Sequence, residues 1–196
     1  MSSPSRLRLQ PDDRLAFFQG FLKRPRQVGS ILPSSRFLER RITRAAHLDD
    51  AQLVVELGPG TGGTTRALLR AMKPTTRLLS IEINSHFVSV LEHTRDPRLI
   101  VHCGSALDLC QILEERGLPA PDAVLSGIPF STIARPLGRQ ILRAVHDALE
   151  PGGHFVAYQV RDRVESLGSE VFGNANVQTE LFNVPPMRVY HWVKSA

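Results

Sequence analysis

The sequence predicts an α/β fold: a doubly wound sheet of seven strands, closed by an antiparallel pair and preceded by an amphipathic helix. Three observations predict it. Short apolar runs alternate with helical segments through most of the chain. The runs, such as QLVVELG and HFVAYQV, are near-continuous in apolar character, which marks parallel strands covered on both faces. The first run ends in a glycine-rich turn, GPGTGG, that leads into a helix. Such turns bring backbone N–H groups and a helix N-terminus against a bound ligand.

Each element follows in order. Residues 1–12 read as a tail. From Asp13 to about Arg24 the pattern is helical: Leu15, Phe17, Phe18, Phe21 and Leu22 fall within an arc of about 160° on a helical wheel. Gln19, Lys23 and Arg24 lie opposite, and Pro25 stops the helix. VGSILPSS is a loop, whose Ser34 or Ser35 can cap a second helix over about 35–47. That helix carries an apolar stripe of Phe37, Leu38, Ile42 and Ala45 and a basic opposite side. QLVVELG is then a strand and TTRALLRAM a helix. RLLSIEI is a strand and NSHFVSVLEHT a helix. LIVHCG is a strand and SALDLCQILEERG a helix. PDAVLSGIPF is a strand and loop, RPLGRQILRAVHDAL a helix, and HFVAYQV a strand. Two runs, VQTELFNV and MRVYHWVK, flank Pro185 and Pro186 and read as the closing antiparallel pair. The chain thus divides into a basic helix and loop over 1–34 and a single α/β domain over 35–196.

Composition narrows the function classes. The 196 residues suffice for one domain with a real core, and 42% apolar content is ordinary for a soluble globule. No apolar run reaches the roughly 18–20 residues of a membrane span. The N-terminus, MSSPSRLRLQPDDR, lacks a secretory signal pattern. Cys103 and Cys110 are therefore expected as reduced thiols in a cytoplasmic protein, and two cysteines do not make a zinc site; no metal is expected. The net charge of +5 is localised. Residues 1–50 hold ten Arg/Lys against five acids, whereas the rest of the chain holds fourteen of each sign. A local excess of this kind suits a polyanionic partner, nucleic acid or an anionic membrane surface.

The glycine turn has two acidic companions. Gly58, Gly60 and Gly63 satisfy G-x-G-x-x-G, a spacing that dinucleotide enzymes share. Glu56, two residues before the first glycine, sits poorly beside a pyrophosphate and suits a ligand with positive charge, such as an ammonium or a sulfonium. Glu82 ends the next strand, where a carboxylate can accept hydrogen bonds from a ribose diol.

With Glu56, Gly58, Gly60, Gly62 and Glu82, the chain resembles class I methyltransferases that use S-adenosylmethionine, over roughly residues 30–194. The resemblance implies a Rossmann-like methyltransferase fold and S-adenosylmethionine as cofactor. It implies a cofactor set of Glu56, Gly58, Gly60, Thr61, Gly62, Glu82, Ile83, Ser105, Ala106 and Ser126, with Ser30 and Pro33 from the preceding loop. The family's third strand usually ends in Gly-Asp-Ala. Here HCGSALDL places Ser105 at the acid's position, so adenine recognition falls to backbone groups, Ala106 or Asp108.

Two acceptors are in play. The loop SGIPF after the fourth strand resembles the Asn-Leu/Ile-Pro-Tyr/Phe loop of ribosomal RNA adenine dimethylases. Gly127 replaces their Asn, however, and their added C-terminal helical domain has no counterpart. FLKRPRQVGSILPSS, VVELGPGTGG, IEIN, SGIPF, LEPGGHFVAYQV and NVPPMRVYHW resemble bacterial phospholipid N-methyltransferases more closely. Pro25, Gly29, Pro33, Ser34 and Ser35 fit that family's P-x-x-x-G-x-x-x-P-S-S loop. This resemblance implies stepwise N-methylation of phosphatidylethanolamine at the inner face of the cytoplasmic membrane. Phe17, Phe18, Phe21, Leu22, Lys23 and Arg24 would be the membrane contact or a lid. The transfer needs no metal. It needs a proton acceptor for the amine, for which Tyr158 and His154 are the candidates, with Tyr190 and His191 on the last strand behind them. Phe130, Tyr158 and Tyr190 could line a site for a methylated ammonium. Arg26, Arg36, Arg161 and Arg188 could meet the lipid phosphate. Adenine methylation in RNA, and a non-catalytic membrane- or nucleic-acid-binding module, are the alternatives.

Overall fold

A computed structural model describes residues 35–195. The N-terminal helix expected from Asp13 to Arg24 lies outside the described residues, as do Phe17, Phe18, Phe21, Leu22, Lys23, Arg24, Arg26, Ser30 and Pro33.

The described chain opens on α1 (Arg36–Ala45), whose first turn is capped by Ser35: its hydroxyl accepts from the Leu38 N–H. Leu38 and Ile42 are buried, so the expected stripe docks, but Phe37 stays exposed. Strands and helices then alternate: β1 (Leu53–Leu57), α2 (Gly63–Ala71), β2 (Arg77–Glu82), α3 (Ser85–Glu92), β3 (Leu99–Cys103), a short 3-10 turn (Ala106–Asp108), α4 (Leu109–Glu115), β4 (Ala123–Ser126), α5 (Arg135–Ala148) and β5 (His154–Gln159). The chain ends in α6 (Arg163–Phe172), β6 (Asn176–Glu180) and β7 (Met187–Val193).

The seven strands form one sheet in the order β3-β2-β1-β4-β5-β7-β6. β1 to β5 are parallel, and β7 runs antiparallel to both β5 and β6. The winding reverses between β1 and β4, which opens a crevice at their carboxyl ends. Strand residues serve both faces in alternation. Leu53, Val55 and Leu57 join the cluster under α4, α5 and α6, while Val54 joins the one under α1 and α2.

α6 corrects the sequence reading, which ran from β5 straight into the closing pair. Its signal is masked by Gly168 in mid-helix, usually a mark against helix. The glycine is there because a Cβ would lie 2.4 Å from Trp192 Cζ2. β6 is also shorter than the run VQTELFNV: Leu181 to Pro186 form the loop into β7.

Candidate active site

The glycine turn sits at the carboxyl end of β1. Gly58, Gly60 and Gly62 take φ of +69°, +56° and +79°, a region that β-carbon-bearing residues rarely adopt. Glu82, at the end of β2, fastens the turn from the side. One of its carboxylate oxygens accepts from the Gly60 N–H at 3.0 Å, the other from the Asn84 N–H at 2.9 Å. Burial raises the Glu82 pKa, and these backbone donors oppose the rise.

Glu56 lies beneath the turn, wholly buried. Its Oε2 accepts from the hydroxyls of Thr65 at 2.6 Å and Ser80 at 2.9 Å. Its Oε1 is buried without a partner among the described residues. Burial pushes the carboxyl up to about 7; the two hydroxyls act against the rise, and the nearby Glu82 charge adds to it. A buried carboxylate oxygen with no donor is costly, and a cationic ligand relieves that cost. The residues present therefore fit an amino-acid ammonium or a sulfonium, with a second acid, Glu82, at the end of the adjoining strand.

The third strand supplies the far wall. Gly104 donates its N–H to the Glu82 carbonyl, and the Ser105 hydroxyl accepts from the Leu107 N–H at 3.2 Å, starting the 3-10 turn. The Ser105 side chain is thus engaged in capping, and Ala106 is nearly buried. Ile83, one residue past Glu82, is exposed, as is Thr61 in the turn. Glu56, Glu82, the glycines, Ser105 and Ser126 are all brought to the same end of adjoining strands.

Ser126 ends β4, and its buried hydroxyl accepts from the Ile128 N–H at 3.3 Å. Gly127 follows in close quarters: a Cβ there would lie 2.7 Å from the Tyr158 hydroxyl and 2.8 Å from the Gly58 carbonyl oxygen. No side chain fits at this position. Tyr158 is half-buried at the end of β5. Burial, then the Glu56 carboxylate, raise its pKa well above the ordinary phenol value against an opposing contact from Thr64. It remains a phenol at neutral pH.

Three expectations are corrected by geometry. Phe130 is fully buried in the core cluster that α5 covers, so it does not line the crevice. Tyr190 is also buried, in a stack with Trp192 on the face opposite that of Tyr158. His154 begins β5, paired with Ala123 at the start of β4. Tyr158 is four residues further along, roughly 13 Å at strand rise. His154 is therefore at the wrong end of the sheet for methyl transfer, as is its neighbour His191. Thr65, Ser80, Asn84 and Gln159 were missed. Gln159 donates from Nε2 to the Ile128 carbonyl at 2.6 Å and anchors the loop after β4. The polar Ser80 and Gln159 inside apolar strands were the available signal.

The sequence and the fold have known counterparts. An ornithine lipid N-methyltransferase from Singulisphaera acidiphila is 34% identical over 145 residues, 73% of this chain and 76% of that protein. A ribosomal RNA small subunit methyltransferase A from Phenylobacterium zucineum is 29% identical over 145 residues, 71% of this chain and 48% of that protein, so the chain spans about half its length. No family model matches. Among solved structures, an O-methyltransferase from Bacillus cereus in complex with S-adenosylhomocysteine superposes with a TM-score of 0.66 at 14% identity, over 96% of this chain and 93% of that one. TomG from Streptomyces achromogenes, in complex with S-adenosylmethionine, gives 0.65 at 17% identity, over 96% and 92%. Together with a buried Glu56 whose Oε1 has no partner among the described residues and a glycine turn held by Glu82, these likenesses establish that the chain belongs to the class I S-adenosylmethionine-dependent methyltransferases, in the company of a lipid N-methyltransferase.

Proposed function

We propose that the protein transfers methyl groups from S-adenosylmethionine to the primary amine of a membrane lipid, phosphatidylethanolamine in the first place, at the inner surface of the cytoplasmic membrane. One observation carries the lipid reading: an apolar rim at the same edge of the sheet as the glycine turn. Leu181, Phe182 and Val184 are 70%, 73% and 79% exposed, and the Phe182 ring lies 5.2 Å from that of the exposed Phe37. The loop that carries them enters β7 at Met187, beside the carboxyl end of β5. Grouped large apolar side chains of this kind suit a hydrocarbon surface.

The surroundings support it. Arg36 follows Ser35, whose N–H donates to Asn183 in that loop; Arg188 pairs with Gln159, and Arg161 lies two residues beyond it. These three exposed cations suit a lipid phosphate. The relative named for ornithine lipid acts on a lipid by that name, and ornithine and ethanolamine both carry a primary amine. Gly127 counts against adenine as acceptor, since the crowding by Tyr158 leaves no space for an amide that would grip a base amine.

When bound, the sulfonium of the cofactor supplies an electrophilic methyl group. The chain's part is placement and charge. Glu82 holds the ribose hydroxyls, and Glu56 balances the positive charge of the methionine end. The amine gives up its proton to solvent water before the transfer; the Tyr158 phenol, held protonated by burial, is not the acceptor that the sequence suggested, but it offers an oxygen lone pair to orient the incoming amine and a ring face for the methylated product.

The deciding experiment supplies methyl-labelled S-adenosylmethionine with three acceptors: phosphatidylethanolamine vesicles containing an anionic lipid, the same vesicles with ornithine lipid instead, and unmodified ribosomal RNA. Label in phosphatidylethanolamine is expected. Label in ornithine lipid alone would move the acceptor within the lipid class, and label in RNA would overturn the reading. The rim has its own test. Phe182→Asp should lower vesicle binding about tenfold or more, the loss of one buried aromatic from hydrocarbon, with S-adenosylhomocysteine affinity unchanged. Unaltered sedimentation with vesicles would remove the rim from the membrane face.

A further inference from the structure

His47, His154 and His191 converge at the sheet edge opposite the glycine turn, and nothing in the methyl transfer uses them. We propose that these three imidazoles bind one divalent transition-metal ion, zinc by preference, as a clip that fastens α1 to β5 and β7.

The residues come from three separate elements. His47 lies two residues beyond α1, His154 opens β5, and His191 sits in β7 opposite Val156, on the same face of the ladder as His154. One ring nitrogen from each lies within 4.8 Å of the others. The His154 Nδ1 and His191 Nε2 are already 2.8 Å apart, sharing a proton. The His47 ring stacks on His154 with centroids 4.4 Å apart. A tetrahedral zinc with N–Zn bonds of about 2.0–2.1 Å sets its nitrogens about 3.3–3.4 Å apart. The half-buried pair therefore opens by about half an ångström, and the metal takes the place of the shared proton, which moves to the other nitrogen of its ring. The third ligand swings in, which the exposed His47 side chain has room to do.

Backbone and charge agree with this. His47, whose ring stacks on His154, holds φ at +49°, a left-handed conformation that carries a cost outside glycine. An all-imidazole donor set selects zinc, copper, nickel or cobalt over magnesium and calcium. His47 and His191 also line a cavity of about 520 Å³ whose wall includes Arg40, Arg41, Arg44 and Glu180. The arginines weaken a bare dication and favour hydroxide or another anion at its fourth position.

The site is testable in tag-free full-length protein with Cys103 and Cys110 changed to serine, which removes the exposed thiols as competing ligands. Cobalt titration should give the intense visible band of a tetrahedral or five-coordinate complex at one equivalent. Zinc should displace it and raise the thermal midpoint. His47→Ala, on an exposed side chain whose loss should leave the fold intact, should weaken binding about tenfold or more, and His191→Asn about 100-fold. Binding weaker than about 100 µM, or binding that survives in both variants, would overturn the proposal. Methyl transfer that fails while zinc binds would count against the lipid reading alone.

Discussion

Glu82→Ala is expected to weaken S-adenosylmethionine binding by at least about 100-fold, the largest single loss in the molecule. The carboxylate acts twice. Both of its oxygens accept backbone N–H groups, those of Gly60 and Asn84, and so hold the glycine turn against the end of β2. Under the proposed function it also accepts from the ribose diol. Hydrogen bonds to a charged group contribute about 1.5–3 kcal/mol each, so losing two or more of them reaches that fold-change. Glu82→Gln should do almost as badly. An amide offers one acceptor oxygen where two N–H donors point, and its NH₂ would then face one of them. Calorimetric titration with S-adenosylmethionine and S-adenosylhomocysteine checks this. Affinities within about threefold of the parent in both variants would remove Glu82 from the cofactor site.

What sequence made legible was what local chemistry dictates. Apolar runs gave the parallel strands, and the acid–glycine spacing gave the cofactor turn, because both depend on neighbours in the chain. Glu82 was legible because a carboxylate ending an apolar strand has few structural reasons to exist. The misses lie where distant packing decides. Phe130 sits in the expected loop but turns inward, into a core cluster with Ile141, Leu142 and Val145 of α5 that only the fold brings together. α6 was hidden by Gly168, whose reason is Trp192 in a strand two elements later. His154 was read as a proton acceptor although it opens its strand; strand direction places the first residues of a parallel strand away from the ligand edge. The imidazole cluster was beyond reach, because His47, His154 and His191 meet only after the antiparallel β7 has paired with β5. The hydroxyls of Thr65 and Ser80 are unremarkable in sequence, and yet they set the environment of Glu56.

The second large effect belongs to Glu56 and is a pH dependence with a definite sign. Its carboxyl stands at about 7 in the folded protein without ligand, against an ordinary 4.5. Between those values the folded protein keeps a proton that the unfolded chain has released, so stability falls as pH rises through the interval. At about 1.4 kcal/mol per pKa unit, the fall amounts to about 3 kcal/mol by the time pH exceeds 7. Glu56→Gln removes this term, and thermal melts of that variant should decline less than the parent's from pH 5 to 8. Cofactor affinity moves the other way. The ionised carboxylate is the form that balances the ammonium and sulfonium, so parent affinity should climb up to tenfold per pH unit below 7 and level off above. The variant should lack that climb, binding about as well as the parent near pH 5.5 and at least about tenfold more weakly at pH 8. The two trends share one cause: the Oε1 atom buried without a donor, which burdens the empty site and rewards the cationic ligand. A parent and a variant with superimposable pH profiles for both melting and affinity would mean that Glu56 never carries the charge, and that the positive end of the cofactor is balanced elsewhere.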